Sequence, residues 1–324
     1  MTDVEKPVAV LYEHPQWFEA LFAELDRRGV PYERLHAARL AFDPDERESP
    51  YSLVVNRMSP SAWTRGNAGA IFHVLHYLAH LDAIAAPVLN GLRAYELELS
   101  KARQASLLAS LGIAHPRTRV VADSRELTRA ASGLDFPVLV KPNIGGSGAG
   151  IQAFAHRDEL AAAEIDGGVD GTLLVQEQLP PEGDAVVRVE ILDGELLYAI
   201  RILLLPGTFN LCPADYCDLP GLADGVSSRG LPIERHDPPA AVVEDAKRIV
   251  AAGGLDLGGV EYLVDARTGE ATFYDVNSLS NFVADAPNVV GFDPFVNLAD
   301  LIVERAFGVR DGASPALAAR GLSA

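Results

Sequence analysis

Residues 139–151 read LVKPNIGGSGAGI: an apolar run closes on Lys141 and Pro142, and Gly145, Gly146, Gly148 and Gly150 follow around Ser147. Glycines let backbone N–H groups approach anionic oxygens closely and adopt positive φ. A lysine at the strand end adds a point charge. Together they suit a lid over phosphates. The loop is not a Walker A motif, because Ile151 and Gln152 stand where lysine and Ser/Thr would follow the last glycine. Taken alone, it reads equally as a hairpin turn beside an exposed lysine.

Two further groups of residues point the same way. In AVVRVEILDGELLYAIRILLL (185–205) the pair Asp193–Gly194 separates two apolar runs, a strong hairpin signal. A two-residue turn sets Leu192 opposite Glu195 and predicts Arg201 opposite Val186. Arg188 and Arg201 would then share a face as diagonal neighbours about 7–8 Å apart, suited to an anion. Pairing of Arg188 with Glu190 is the competing reading, and a slip of one residue in register would separate the arginines. In GGVEYLVDARTGEATFYDVN (258–277), pairing Glu261 with Asp275 across the loop Ala266–Glu270 places Glu261, Asp275 and Asn277 on one face. Val260, Tyr262, Val264, Tyr274 and Val276 fall on the other. Three hard oxygen donors, leaving room for water and phosphates, are what Mg²⁺ takes. A solvated acidic edge is the alternative, but an unpaired carboxylate in so apolar a strand is costly.

These residues need elements to position them. In the first ninety residues, short apolar strands at 8–12, 51–56 and 86–90 alternate with helical patterns at about 17–29 and 68–81, which implies a parallel sheet. A helix ending at Gly112 comes next, then short strands at 117–121, 136–142, 151–154 and 172–179 with helices near 124–132 and 157–165. The two hairpins complete the chain, flanked by helices near 240–252 and 294–307. The expected fold class is α/β in the first part and α+β thereafter.

The 324 residues allow two or three domains, and 48% apolar content is ample for packed cores. A net charge of −18, from 27 basic and 45 acidic residues, argues against nucleic acid and anionic lipid as partners. Two cysteines, Cys212 and Cys217, give no disulfide framework. No apolar run approaches the roughly 18 residues of a membrane helix, and MTDVEKPVAV lacks a signal-peptide core, so a cytoplasmic location is expected.

The order of these motifs resembles the ATP-grasp superfamily, and within it the carboxylate–amine ligases of the RimK/LysX type. The resemblance rests on VLVKP with its glycine loop, VQEQL (175–179), the arginine hairpin and GGVEYLV…FYDVN. NRMSPS (56–61), APVLNG (86–91) and SKARQASLLASLGIAHPRT (100–118) are similar to the region preceding the ATP-grasp fold in that branch, so the likeness covers roughly residues 50–305. It implies a pre-ATP-grasp α/β domain (1–92), a central subdomain with the glycine loop (93–180), a C-terminal subdomain with the metal site (181–310) and a flexible tail (311–324).

The resemblance also implies roles. Lys101 and Lys141 would hold the α and β phosphates under the loop Gly145, Gly146, Ser147, Gly148 and Gly150. Gln176, Glu177, Gln178 and Leu179 would form the hinge at the adenine. Asp184 lies near the ribose position, although Val186 and Val187 stand where an acidic residue is usual. Arg188 and Arg201 would bind the γ-phosphate and the acyl phosphate, with Asn210 near the substrate. Glu261, Asp275 and Asn277 match the Mg²⁺ ligands, with Mn²⁺ an alternative; the first carboxylate is more often Asp and the second more often Glu in this branch. The implied activity joins a carboxylate to an amine through an acyl phosphate, releasing ADP and phosphate. The implied partners are a small-molecule acid and amine, or a peptide or carrier-protein acceptor, with a homo-oligomer left open. A kinase stopping at phosphoryl transfer, or a nucleotide-binding protein without catalysis, are the rival readings.

Three other groups stand out. His76 and His80, with His73 on the same helix, have a metal-like i, i+4 spacing but read better as a polar face. Arg57, at a strand end, suits either a substrate carboxylate or a surface loop. SLSNF (278–282), after the metal ligands, suits an amine site.

Overall fold

The computed structural model describes residues 6–14, 16–204 and 232–308. Asn210, Cys212, Cys217 and the tail from 311 lie outside the described residues. The first unit is built from β1 (Val8–Tyr12), α1 (Glu19–Arg28), β2 (Tyr32–His36), β3 (Leu53–Arg57), α2 (Ala68–Ala83) and β4 (Val88–Leu89). Its sheet is parallel in the order β2-β1-β3-β4. The strand β2 escapes sequence reading because YERLH is a polar edge strand without apolar alternation.

The helix expected to end at Gly112 is two helices, α3 (Leu92–Glu98) and α4 (Lys101–Ser110). Ser100 breaks them: its Oγ accepts from the Arg103 amide at 3.2 Å, so α4 starts afresh with Lys101 in its first turn. Next come β5 (Thr118–Val121), α5 (Leu127–Ala130), β6 (Val138–Pro142), β7 (Gln152–Phe154), α6 (Arg157–Ala162) and β8 (Leu173–Glu177). These strands form an antiparallel sheet in the order β5-β8-β6-β7.

The last unit holds β9 (Ala185–Leu192), β10 (Glu195–Leu203), β11 (Ile233–Arg235), α7 (Ala240–Gly253), β12 (Leu257–Val264), β13 (Ala271–Asn277), α8 (Ala286–Val289) and α9 (Pro294–Phe307). Its sheet runs β11-β10-β9-β12-β13. One face packs Val189, Ile191 and Val260 on Ile249 and Val250 of α7. The other packs Val186, Ile200 and Leu257 into a core shared with Val8, Phe22 and Val55 of the first unit. Each such fully buried side chain contributes about 1.5–3 kcal/mol relative to exposure.

Asn90 ties the first and last units together. It sits at φ 54, a conformation asparagine tolerates better than most residues. Its side-chain amide donates to Leu257 O (2.7 Å) and Ser278 O (2.6 Å), and its Oδ1 accepts from the amides of Asp256 (2.7 Å) and Leu257 (3.1 Å).

Two β-bulges revise the face assignments. The Asp193–Gly194 turn pairs Glu195 with Leu192 as expected, but the register shifts between Leu196 and Tyr198. Leu197 is the extra residue. Arg201 therefore lies opposite Val187, on the face away from Arg188, where it bonds Glu234 (3.1 Å). In the late hairpin Glu261 does pair with Asp275, but the register shifts immediately after, and Tyr262 pairs with Phe273. Tyr274 is the extra residue, and it turns to the carboxylate face instead of the buried one.

Between α1 and α9, the buried Glu24 is held by Arg27 and Arg28 at 2.7 Å each, and Arg28 reaches Asp300 of α9 at 2.6 Å. The bonds from Arg27, with those from Arg28, outweigh burial and bring the Glu24 carboxyl from 4.5 to about 2. A depressed carboxyl stabilises above its unfolded value, and that contribution is lost as pH falls through the folded one. Glu24→Gln is expected to lower Tm near neutrality by roughly 3 °C. In a thermal melt series the gap from wild type closes as pH falls from 4.5 to about 2.

Candidate active site

The chain from β6 into the glycine loop and the start of α4 are locked together by Asn143. Its Oδ1 accepts from the Ala102 amide (3.0 Å) and Ser100 Oγ (3.1 Å), and its Nδ2 donates to Asp170 (2.7 Å). Lys101 and Lys141 thereby face one cavity. Gly145, Gly146, Ser147, Gly148, Arg188, Glu261, Asp275 and Asn277 line the same cavity, so most of the residues singled out in the sequence converge.

The loop lies against the first unit. Gly146 has φ 134, and a Cβ there would stand 2.6 Å from Ser61 Cβ and 2.8 Å from its Cα. Only glycine fits this approach. Trp63 Nε1 donates to Gly145 O at 3.4 Å. Gly150, by contrast, packs on Pro142 and is not part of the lining.

Lys141 is buried, donates to Gln176 Oε1 at 2.6 Å and stands 5.8 Å from the Tyr274 ring centroid. Burial, aided by the neighbouring Lys101 cation, lowers it to about 8. A lysine so placed gains from a bound anion. Lys101 pairs with Asp275. Burial pushes the Asp275 carboxyl up, but Lys101 more than offsets this and holds it below its ordinary value. Glu261 is raised, first by burial and then by the Asp275 charge across the strand pair.

Two carboxylates repelling each other beside an amide oxygen fit a hard divalent cation. Asn277 Nδ2 approaches Asp275 Oδ2 at 3.3 Å, which leaves the amide oxygen as the donor it can offer a metal. Among the described residues no group of three His, Cys, Asp or Glu forms a metal site, and the set here holds only two carboxylates. His73 instead bonds Leu40 O at 2.8 Å, and His80 stacks on Phe42.

Arg188 bonds Glu190 (2.6 Å) and Glu261 (3.0 Å), so the Glu190 pairing raised as the competing reading is present. Its guanidinium lies flat on β12 over Gly259, where any Cβ would overlap it. Gln176 lines a smaller adjoining cleft with His115, Pro116 and Phe273. The Glu177 carboxylate does not face that cleft's lining: it accepts from the Asp135 amide (2.8 Å) and pairs with Arg117 (3.1 Å). Gln178 donates its amide to Pro137 O at 2.9 Å, Leu179 packs on the shared core, and Asp184 is exposed. Arg57 is wholly buried, donates to Ser280 O and does not line the cavity.

Sequence reading missed Glu98 and Trp17, which line the cavity from α3 and from the segment before α1. Burial brings Glu98 up to about 7, against the bond it accepts from the Ser278 amide. Its place three residues before Lys101 was the one available hint.

Part of the chain matches a known family model. Residues 99–210 match the model of the RimK-like ATP-grasp domain. This stretch is similar to RimK-like ATP-grasp domains. Among the chain's relatives is the D-alanine–D-alanine ligase of Geobacter sulfurreducens, 28% identical over 196 residues, 60% of this chain and 59% of that ligase. The chain thus spans under two thirds of the length of such relatives. Among solved structures, the ATP-grasp ligase PsnB complexed with minimal precursor superposes with a TM-score of 0.66 at 18% identity, covering 93% of this chain and 99% of PsnB. D-cycloserine synthetase DcsG gives 0.65 at 19%, covering 92% and 99%. PsnB has also been solved with Mg and ADP, and the ligase of Bacillus anthracis with ATP. The ATP-grasp fold therefore extends over nearly the whole chain. Among the described residues no helix is long and apolar enough to cross a membrane.

Proposed function

We propose that this ATP-grasp chain is an ATP-dependent carboxylate–amine ligase. The observation that carries the reading is the convergence of Lys101, Lys141, the glycine loop and the Glu261–Asp275–Asn277 face on one cavity. Glu261, Asp275 and Asn277 would hold Mg²⁺, or Mn²⁺ in its place, and the ion would neutralise charge developing on the phosphate oxygens. Lys101 and Lys141 supply fixed positive charge to the phosphates, and Lys141 is pre-positioned by Gln176. A carboxylate oxygen attacks the γ-phosphorus, the bond to ADP breaks, and an amine then displaces phosphate from the acyl carbon. Arg188, anchored by its two carboxylate partners, borders the place where the acyl phosphate would form. The glycine loop keeps water from that intermediate.

PsnB has been solved with a precursor peptide, and the sequence relatives are D-alanine–D-alanine ligases, which supports both a peptide and a small amine as eligible acceptors. The test is a coupled assay over paired acids and amines. The reading expects ADP and free phosphate only when both are present, and a hydroxamate when hydroxylamine replaces the amine. A stable phosphorylated product would establish a kinase instead, and nucleotide binding without turnover on the whole panel would refute catalysis.

Gly146→Ala is expected to raise the KM for ATP about tenfold with Tm nearly unchanged, because its Cβ forces the loop off Ser61. Steady-state kinetics beside a thermal melt checks this.

A further inference from the structure

Arg188 borders the cavity, and where its guanidinium can reach is set by what holds it from behind. Alternation along β9 puts Arg188 and Glu190 on one face, and β12 sets Glu261 opposite Arg188 and Gly259 opposite Glu190. The guanidinium crosses Gly259 and is held at two separate nitrogens. Its Nε donates to Glu190 (2.6 Å) and its Nη1 to Glu261 (3.0 Å). These two holds are not equivalent. Glu261 lines the cavity with Asp275 and Asn277, so a cation on that face would compete with Arg188 for the same carboxylate. Glu190 has no exposed surface and is not part of the lining. A bound cation would therefore leave its bond to Nε untouched.

Glu190 is balanced in turn from across the interface between the first and last units. Arg57 ends β3, lies 5.5 Å from the Phe18 ring centroid and donates to Ser280 O. Burial lowers Arg57 to about 10, and among the neighbouring carboxylates Glu190 opposes this most, ahead of Glu98. Yet the two share no hydrogen bond: Arg57 Nε, Arg57 Nη1 and Glu190 Oε2 are all buried without partners. Glu190 thus gives its directional bond to Arg188 and only its charge to Arg57. Opposite charges buried together offset each other's loss of water, whereas a directional bond fixes geometry.

From this arrangement we infer that Glu190 is a positioning residue: it fixes the plane and reach of Arg188 once a divalent cation draws Glu261 away, while Arg57 balances its charge from the first unit. The inference rests on the ligase reading. ATP binding does not depend on this hold, because Lys101, Lys141 and the glycine loop keep their own partners. The steps that need Arg188 at a fixed distance from the reacting phosphate do depend on it.

Two changes at position 190 separate reach from charge. Glu190→Asp keeps the charge that Arg57 needs but is one methylene too short for Nε. The double variant Arg57→Met, Glu190→Gln removes both charges together and keeps an oxygen for Nε. Glu190→Asp is expected to lower kcat about 30-fold with the KM for ATP unchanged, and the double variant to keep kcat within about fivefold of wild type. Mg²⁺ titrated by calorimetry should bind Glu190→Asp about tenfold more weakly than wild type, because Arg188 is then left to Glu261 alone. If Glu190 only compensates Arg57, Glu190→Asp behaves as wild type in both measurements. That result overturns the inference, as does an equal loss of kcat in the two variants. Failure of either variant to give a cooperative melt near the wild-type Tm also overturns it, since Glu190 would then serve the fold and not the placement of Arg188. Wild-type turnover that Glu190→Asp leaves unchanged sinks the positioning role alone. No wild-type turnover on any acid and amine pair sinks the ligase reading and the positioning role with it.

Discussion

Lys141→Ala is expected to cut ATP-dependent phosphate release by about 10²–10³-fold, the usual effect of removing one pre-organised charge donor from a transition state. The physical basis is its setting. Lys141 is buried, fixed by a 2.6 Å bond to Gln176, and brought down to about 8 by burial and by Lys101. Without a phosphate the side chain is an incompletely compensated buried cation, so its removal should not unfold the protein. Wild type and variant are expected to melt within a few degrees of each other in the absence of nucleotide. ATP should raise Tm in wild type and do so much less in the variant. Undiminished turnover with the true substrates would remove Lys141 from the site.

Glu261→Gln should separate activity from stability still more sharply. Burial and the facing Asp275 charge raise the Glu261 carboxyl, so its ionised form is disfavoured where it stands. The amide keeps the volume and can still accept from Arg188, which retains Glu190. Turnover is expected to fall by about 10³-fold as a metal ligand is lost. Tm measured with a chelator is expected to stay level or rise, since a like-charge repulsion is gone. Magnesium should raise the melting temperature of wild type and leave that of the variant unmoved. A large fall in the metal-free Tm would mean that Glu261 serves chiefly to compensate Arg188.

The carboxylate face was legible because a hairpin loop of countable length fixes register, and Glu261 does oppose Asp275. The ATP-grasp fold was legible from the order of motifs. The arginine pair was misread for a definable reason: nothing in ELLYAI marks the bulge at Leu197, where no glycine or proline interrupts the apolar run. One unmarked extra residue reversed the face of Arg201. The same parity change moved Tyr274 beneath Lys141, and two adjacent aromatics, Phe273 and Tyr274, gave no sign of which would be buried. The side-chain partners of Glu177, Arg117 and the Asp135 amide, lie some sixty and forty residues upstream, so no local pattern shows them. Trp17 and Glu98 belong to elements whose approach to the site is decided by the shared core, and no local pattern records that.

The Asn90 clasp bears on how such a molecule can move. With four side-chain bonds to the segments around β12 and β13, and an apolar core continuous across the same boundary, the first and last sheets form a single mechanical body. The β5-β8-β6-β7 sheet is held to that body by the Asn143 bonds to Ala102 and Ser100, so any movement of the sheet against it would have to part them.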